Sequence, residues 1–166
     1  MFKKLFGKSE EAPKTIEVKA PISGKYVAIE NIPDPVFAQK MMGEGFGIEP
    51  IEGTVVSPIK GEIVNVFPTK HAIGIKADNG LEVLIHVGLE TVAMNGEGFE
   101  TKVAVGDKVE VGEALLNFDI ALIQEKASSI ISPVIITNSD VISNFEINNV
   151  TDVVKGETTV LKIEVK

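Results

Sequence analysis

The chain contains no cysteine, which excludes disulfides, thiol chemistry and cysteine-ligated zinc. Cations are in deficit: 16 Lys and Arg stand against 24 Asp and Glu, giving a formal net charge of −8. Nucleic-acid binding leaves a basic footprint, and none is visible, so no nucleic-acid partner is expected. An acidic surface instead suits encounter with a basic partner protein. No run approaches the ~20 apolar residues of a membrane helix, so the chain is expected to be soluble, with a cytoplasmic location. Helix signals are scarce, limited to residues 35–42 and 121–127.

What is present is enough apolar material for a core, at 44% of 166 residues. A chain of this size hides roughly 70% of the surface its unfolded form exposes. The expectation is one domain over 15–166 behind a flexible tail, 1–14. The tail opens Met1-Phe2-Lys3-Lys4-Leu5-Phe6 and has no apolar region of the kind a secretory signal needs. It reads first as a disordered start and second as a short interfacial anchor.

From Thr15 onward, short β-branched runs alternate with Gly, Pro and Asn. Strands are expected at 16–18, 25–29, 53–56, 62–67, 72–76, 81–87, 108–111, 114–118, 134–137 and 159–165. That pattern argues for an all-β sandwich or barrel-sandwich with short helical turns. Ala20-Pro21-Ile22-Ser23-Gly24 and Ser57-Pro58-Ile59-Lys60-Gly61 are alike, as are the stretches 105–113 and 150–157. The repeats imply internal duplication of a hairpin-like unit.

His71 and His86 are the only histidines. Asn79-Gly80 between them is a strong hairpin signal. As a two-residue loop it would set His71 opposite Gly88 and Ile73 opposite His86. Alternation then puts both imidazoles on one face, diagonal to each other at about 7–8 Å. Such a pair could bind metal, act as general acid and base, or manage a phosphoryl group. A neutral imidazole is a good nucleophile near pH 7, and a second ring can hydrogen-bond phosphoryl oxygens in the transition state. Two satisfied histidines on a sheet surface would show the same spacing.

The stretches 67–75 and 84–92, with Gly96-Glu97-Gly98-Phe99 and Ile32-Pro33-Asp34-Pro35-Val36-Phe37-Ala38, closely resemble the glucose-family enzyme IIA proteins of the bacterial sugar phosphotransferase system. The resemblance spans nearly all of 20–165 and is to the freestanding, Gram-positive-like form. It implies a largely antiparallel β-sandwich and a cytoplasmic phosphotransferase relay without a required cofactor. The phosphoryl group would come from the phosphocarrier protein HPr and pass to a cysteine on the IIB domain of a membrane sugar permease; regulatory protein partners are also possible.

Residue by residue, the resemblance makes His86 the phosphorylated nucleophile, His71 the phosphoryl stabiliser and Thr69 the residue that orients His71. Phe37, Phe67 and Leu84 would form the apolar docking surface, and Asp34 and Glu90 would meet basic residues of HPr. Leu84, where some members carry phenylalanine, and Glu90, where aspartate is frequent, are departures that bear on partner affinity. Two alternatives compete. A biotinyl or lipoyl carrier would use a lysine such as Lys40, although that residue precedes the expected hairpin. A zinc hydrolase would add Glu90 or Glu97 to His71 and His86; bound zinc bridging the two histidines is the milder form of that idea.

Overall fold

The computed structural model describes residues 14–166. The expected tail therefore falls outside the described residues except for Lys14. In chain order the strands are β1 Thr15–Lys19, β2 Gly24–Ala28, β3 Glu44–Pro50, β4 Thr54–Val56, β5 Gly61–Val66, β6 Ala72–Lys76 and β7 Glu82–His86. They continue with β8 Phe99–Thr101, β9 Lys108–Val109, β10 Ala114–Phe118, β11 Ser132–Ile136, β12 Ile142–Ile147, β13 Asp152–Val153 and β14 Thr159–Val165. Two short helices, α1 Pro35–Ala38 and α2 Ile120–Lys126, interrupt them.

Every strand pairing is antiparallel. An eight-stranded sheet runs β13-β2-β3-β11-β7-β6-β5-β9, with three-stranded sheets β1-β14-β12 and β4-β10-β8 beside it. The duplication is visible at the two ends of the long sheet. Gly24 pairs with Val153 at one end, as Gly61 pairs with Val109 at the other. The Gly156 N–H donates to the Ala20 carbonyl, and the Gly112 N–H donates to the Ser57 carbonyl. The two copies also cross-link: Lys19 N–H to Pro58 C=O, and Val56 N–H to Pro21 C=O. One short peptide pattern used twice thus closes the sandwich on itself.

Strand β3 escapes the sequence reading because Gly43, Gly45, Gly47 and Pro50 look like turn punctuation. They serve close approach instead. A Cβ at Gly45 would sit 2.0 Å from the Val134 carbonyl of β11, so only glycine lets these strands lie this close.

Strand alternation decides where chemistry can sit. Ile73, Ile75, Val83, Ile85, Val134 and Ile136 point into the main core. The opposite face of β7 and β11 carries Leu84, His86 and Ile135, directly paired or two positions apart. Over that face lies a smaller cluster of Ile29, Ile32, Phe37, Leu89 and Ile135. Helix α1 delivers Phe37 to it: Pro35 opens the helix, and Asp34 caps it by accepting from the Val36 N–H at 2.9 Å. Burying such a phenyl ring is worth about 1.5–3 kcal/mol.

The β6–β7 hairpin corrects the expected register. Ala72 pairs with His86 and Ile73 with Ile85, one position from the expectation. The Ala77 N–H donates to the Leu81 carbonyl, and the Gly80 N–H donates to the Ala77 carbonyl. The loop therefore holds three residues, 78–80, with Gly80 left-handed at φ 94°. A type I turn closed by a left-handed glycine is the next commonest solution after the two-residue loop. Asn79-Gly80 marks the hairpin but does not fix its length.

Candidate functional site

The corrected register has a consequence for the histidines. Ala72 shares a face with its partner His86, so strict alternation would send His71 into the core. The chain instead bends at residues 70 and 71, with Lys70 at φ 63°. The turn is pinned by the Lys70 N–H to the Phe67 carbonyl at 2.7 Å, and by the Phe67 N–H to the Ala72 carbonyl at 3.0 Å. Alternation breaks there, and the two imidazoles meet edge to face, 4.8 Å between ring centroids and 76° between planes. The rings are together, but by a strained turn and not by strand parity. No sequence signal announces a left-handed lysine.

That strain is testable. A non-glycine residue at positive φ costs about 1–2 kcal/mol, and a β-branched one is a marked outlier there. Lys70→Gly is expected to keep or slightly raise thermal stability, and Lys70→Val to lower it by about 1–2 kcal/mol. Chemical denaturation of the two variants checks the order; equal stability would remove the turn from the argument.

His86 Nδ1 lies 2.8 Å from the Gly88 carbonyl oxygen. A carbonyl only accepts, so Nδ1 carries the hydrogen and Nε2 keeps its lone pair. His71 Nδ1 lies 2.6 Å from Thr69 Oγ1, a hydroxyl able to donate or accept. Aromatic rings wall the pair, Phe37 at 5.2 Å from His86 and Phe67 at 5.5 Å from His71. His71 is buried, while His86 remains half-buried and reachable.

Burial favours the neutral ring in both cases. His71 is pushed down from 6.5 to about 4, by burial first and by the neighbouring His86 second, against a raising contribution from the Thr69 backbone. His86 is lowered by burial and held back by the Gly88 carbonyl and the negative charge of Asp34. Near pH 7 the site therefore holds two uncharged imidazoles, and one is a nucleophile with a defined free nitrogen.

The His71 shift also shapes stability. The unfolded chain binds this proton near pH 6.5 and the folded chain only near 4. Stability from this group is then complete above 6.5 and lost as pH falls toward 4, by at most about 3 kcal/mol. Urea midpoints between pH 7 and 4 should fall less steeply for His71→Gln than for the wild type; parallel profiles would count against it.

The other expected residues divide. Leu84 follows on the His86 face and lines a shallow depression of about 520 Å³ with Phe67, Met42 and Val64. Asp34 acts on His86 through its charge while capping α1. Glu90 is exposed, at φ 61°, on the loop beyond β7, and neither imidazole takes it as a hydrogen-bond partner. Glu97 pairs with Lys126 at 3.0 Å. Lys40 pairs with Glu44 in the α1–β3 connection, away from any hairpin tip between the two repeats. Among the described residues no group of three or more His, Asp or Glu side chains could hold a metal ion. The sequence pattern sets Gly88 only as the residue opposite His71. Its carbonyl, which selects the His86 tautomer, was missed, and a backbone oxygen leaves no mark in the residue letters.

Residues 16–142 match the family described as the phosphoenolpyruvate-dependent sugar phosphotransferase system, EIIA 1. The chain is 60% identical over 165 residues to the PTS system glucose-specific EIIA component of Staphylococcus epidermidis, covering 99% of each. Its identity to the protein of the same name from Staphylococcus aureus is 60% over 163 residues, 98% of each. Among solved structures it resembles the glucose permease IIA from Mycoplasma capricolum, with TM-score 0.84, 36% identity, and coverage of 89% of this chain and 96% of that one. With a family match across most of its strands and relatives of near-equal length, the chain belongs to the EIIA family of the sugar phosphotransferase system.

Proposed function

We propose that this chain is a cytoplasmic, glucose-type phosphocarrier that accepts a phosphoryl group from phospho-HPr on His86 and hands it to the IIB domain of a sugar permease. The observation that carries this reading is the pair of neutral, touching imidazoles, one with its Nδ1–H bound to a carbonyl. The Nε2 lone pair of His86 forms the new N–P bond. The bond to the donor's ring nitrogen breaks, and its electron pair returns to that ring. The Nδ1 proton stays in place, so the adduct has imidazolium character, which the Gly88 carbonyl stabilises. A ring in that state is a good leaving group, which a relay requires.

His71 steadies the phosphoryl oxygens, and Thr69 orients His71. Phe67 is half-buried, while Phe37 and Leu84 are 5% and 7% exposed; together they give the site an apolar surround that excludes water when a partner closes over it, limiting hydrolysis. Asp34 and Glu90 meet basic groups of HPr, and any regulatory partner would compete for this same face. The unit from 15 to 166 acts as one domain: its core cluster runs from Val18 to Val165. No cofactor takes part; zinc between His71 and His86 would be an incidental guest with only two protein ligands. Among the described residues no helix is long and apolar enough to cross a membrane.

The test is reconstitution with phosphoenolpyruvate, enzyme I and HPr. One acid-labile, base-stable phosphoryl group per chain is expected, unchanged by chelator, and discharged on adding IIB. Uptake that needs a metal, or label that IIB cannot remove, would overturn the reading.

A further inference from the structure

Burying a hydroxyl is unfavourable unless it finds a hydrogen-bond partner, so the few that are buried are informative. Among the described residues the buried polar side chains are Ser23, Ser57, His71, Thr91 and Ser132. Thr91 and Ser132 are fully enclosed, and both act on one peptide unit. Thr91 Oγ1 donates to the Val87 carbonyl at 2.7 Å. Ser132 Oγ accepts from the Gly88 N–H at 3.0 Å and donates to the Ile130 carbonyl at 2.9 Å. The Val87 carbonyl and the Gly88 N–H are opposite edges of the same planar amide. Two hydroxyls from different elements therefore grip it from both sides.

The flanking groups lead to the histidines. The Val87 N–H donates to the His71 carbonyl at 2.7 Å, and the Gly88 carbonyl accepts from His86 Nδ1 at 2.8 Å. All four polar backbone groups of Val87-Gly88 are thus engaged, two by buried hydroxyls and two by the site histidines. Gly88 sits at φ 72°, and a Cβ there would stand 2.7 Å from Thr91 Cγ2 and 3.0 Å from the Ser129 carbonyl. Glycine is what allows the grip to close.

We infer that Thr91 and Ser132 are positioning residues for the phosphoryl transfer: by clamping the Val87–Gly88 amide they aim the Gly88 carbonyl at His86 Nδ1 and so keep Nε2 free as the nucleophile. The clamp rests on His86 being the acceptor. Which ring nitrogen carries the proton is set by the bond the other makes. The Gly88 carbonyl belongs to the following amide, whose Leu89 N–H donates to the Ser129 carbonyl at 2.9 Å. Without the clamp the Val87–Gly88 amide can turn, which changes the path of the chain through Gly88, moves its carbonyl off His86 Nδ1 and lets the ring sample the tautomer whose Nε2 is protonated and unreactive.

The test uses the full chain with Thr91→Val, which keeps the shape and loses the donor, Thr91→Ser, which restores the donor, and Ser132→Ala. Nitrogen-15 NMR of His86 reports the tautomer, and phosphoryl uptake from phospho-HPr reports the rate. Wild type and Thr91→Ser should show one tautomer, hydrogen on Nδ1. Thr91→Val and Ser132→Ala should show a mixture and take up phosphoryl about tenfold more slowly, one hydrogen bond's worth of barrier. Should Thr91→Val fail to fold, Ser132→Ala, which removes a single oxygen atom from the packing, carries the same test. Unchanged rates, or slow uptake with the tautomer intact, would overturn the clamp. Wild-type protein that takes no label on His86 would overturn the relay reading itself, a result distinct from a clamp that fails while the wild type works.

Discussion

His86→Ala, given phosphoenolpyruvate, enzyme I and HPr, is expected to acquire no phosphoryl group, with uptake reduced by at least ~10⁴-fold, the scale on which removal of a covalent nucleophile acts. The chain offers one other imidazole, and that ring cannot substitute. His71 is only 3% exposed, with the Phe67 ring 5.5 Å and the His86 ring 4.8 Å from its own, so a donor's phosphorus reaches it far less readily than the half-buried His86. Nor does the alanine variant fail for lack of fold. His86 closes β7 at its last residue, is half-buried, and belongs to neither apolar core cluster. Circular dichroism and the urea midpoint should stay near those of the wild type while the label disappears. Phosphorylation of the alanine variant at any rate near the wild type's would place the acceptor elsewhere and sink the assignment.

Much of this was legible in the residues, but unevenly. Strands such as β6, β10 and β14 announce themselves because β-branched runs are bounded by turn chemistry, and the structure keeps their bounds. The duplicated Pro-Ile segments announced the internal duplication, but not the eight-stranded sheet whose two ends the copies occupy. Glycine misled in both directions. In β3 it looked like punctuation and was close packing, while at Gly80 it marked a hairpin whose loop length depended on one backbone angle. The site shows the same division. The letters named both histidines, yet their contact follows from a bend at Lys70 that no local propensity favours. Had the expected register been right, the same conclusion would have followed for a different reason. Tautomer and clamp were beyond reach, because carbonyls are common to every residue and the hydroxyls of Thr91 and Ser132 lie 41 positions apart.

His71→Gln should separate the two halves of the relay. Glutamine keeps an amide donor of similar reach but cannot take a charge, whereas imidazole can. In the resting protein the pKa of His71 is held down at about 4, by burial first and by its repulsion of a second charge on His86 next. Phosphorylation reverses that sign: a phosphoryl dianion on His86 attracts a proton onto His71, and the pKa of His71 should rise well above its resting value, measurable by NMR titration of the phosphorylated protein. The extra charge matters most when the attacking group is itself negative. Acceptance brings a neutral His86 against a phosphohistidine, so a neutral donor at position 71 suffices and uptake should hold within about tenfold of the wild type. Donation brings a cysteine thiolate against the phosphoryl dianion, adding negative charge in a site that has just excluded water. There the loss of a protonated ring should cost transfer to IIB about 10²–10³-fold, the range seen when one stabilising donor is removed from a developing anion. Measured as separate half-reactions, an equal loss in both directions would reduce His71 to a general scaffold, and an unimpaired transfer to IIB would remove it from the chemistry altogether.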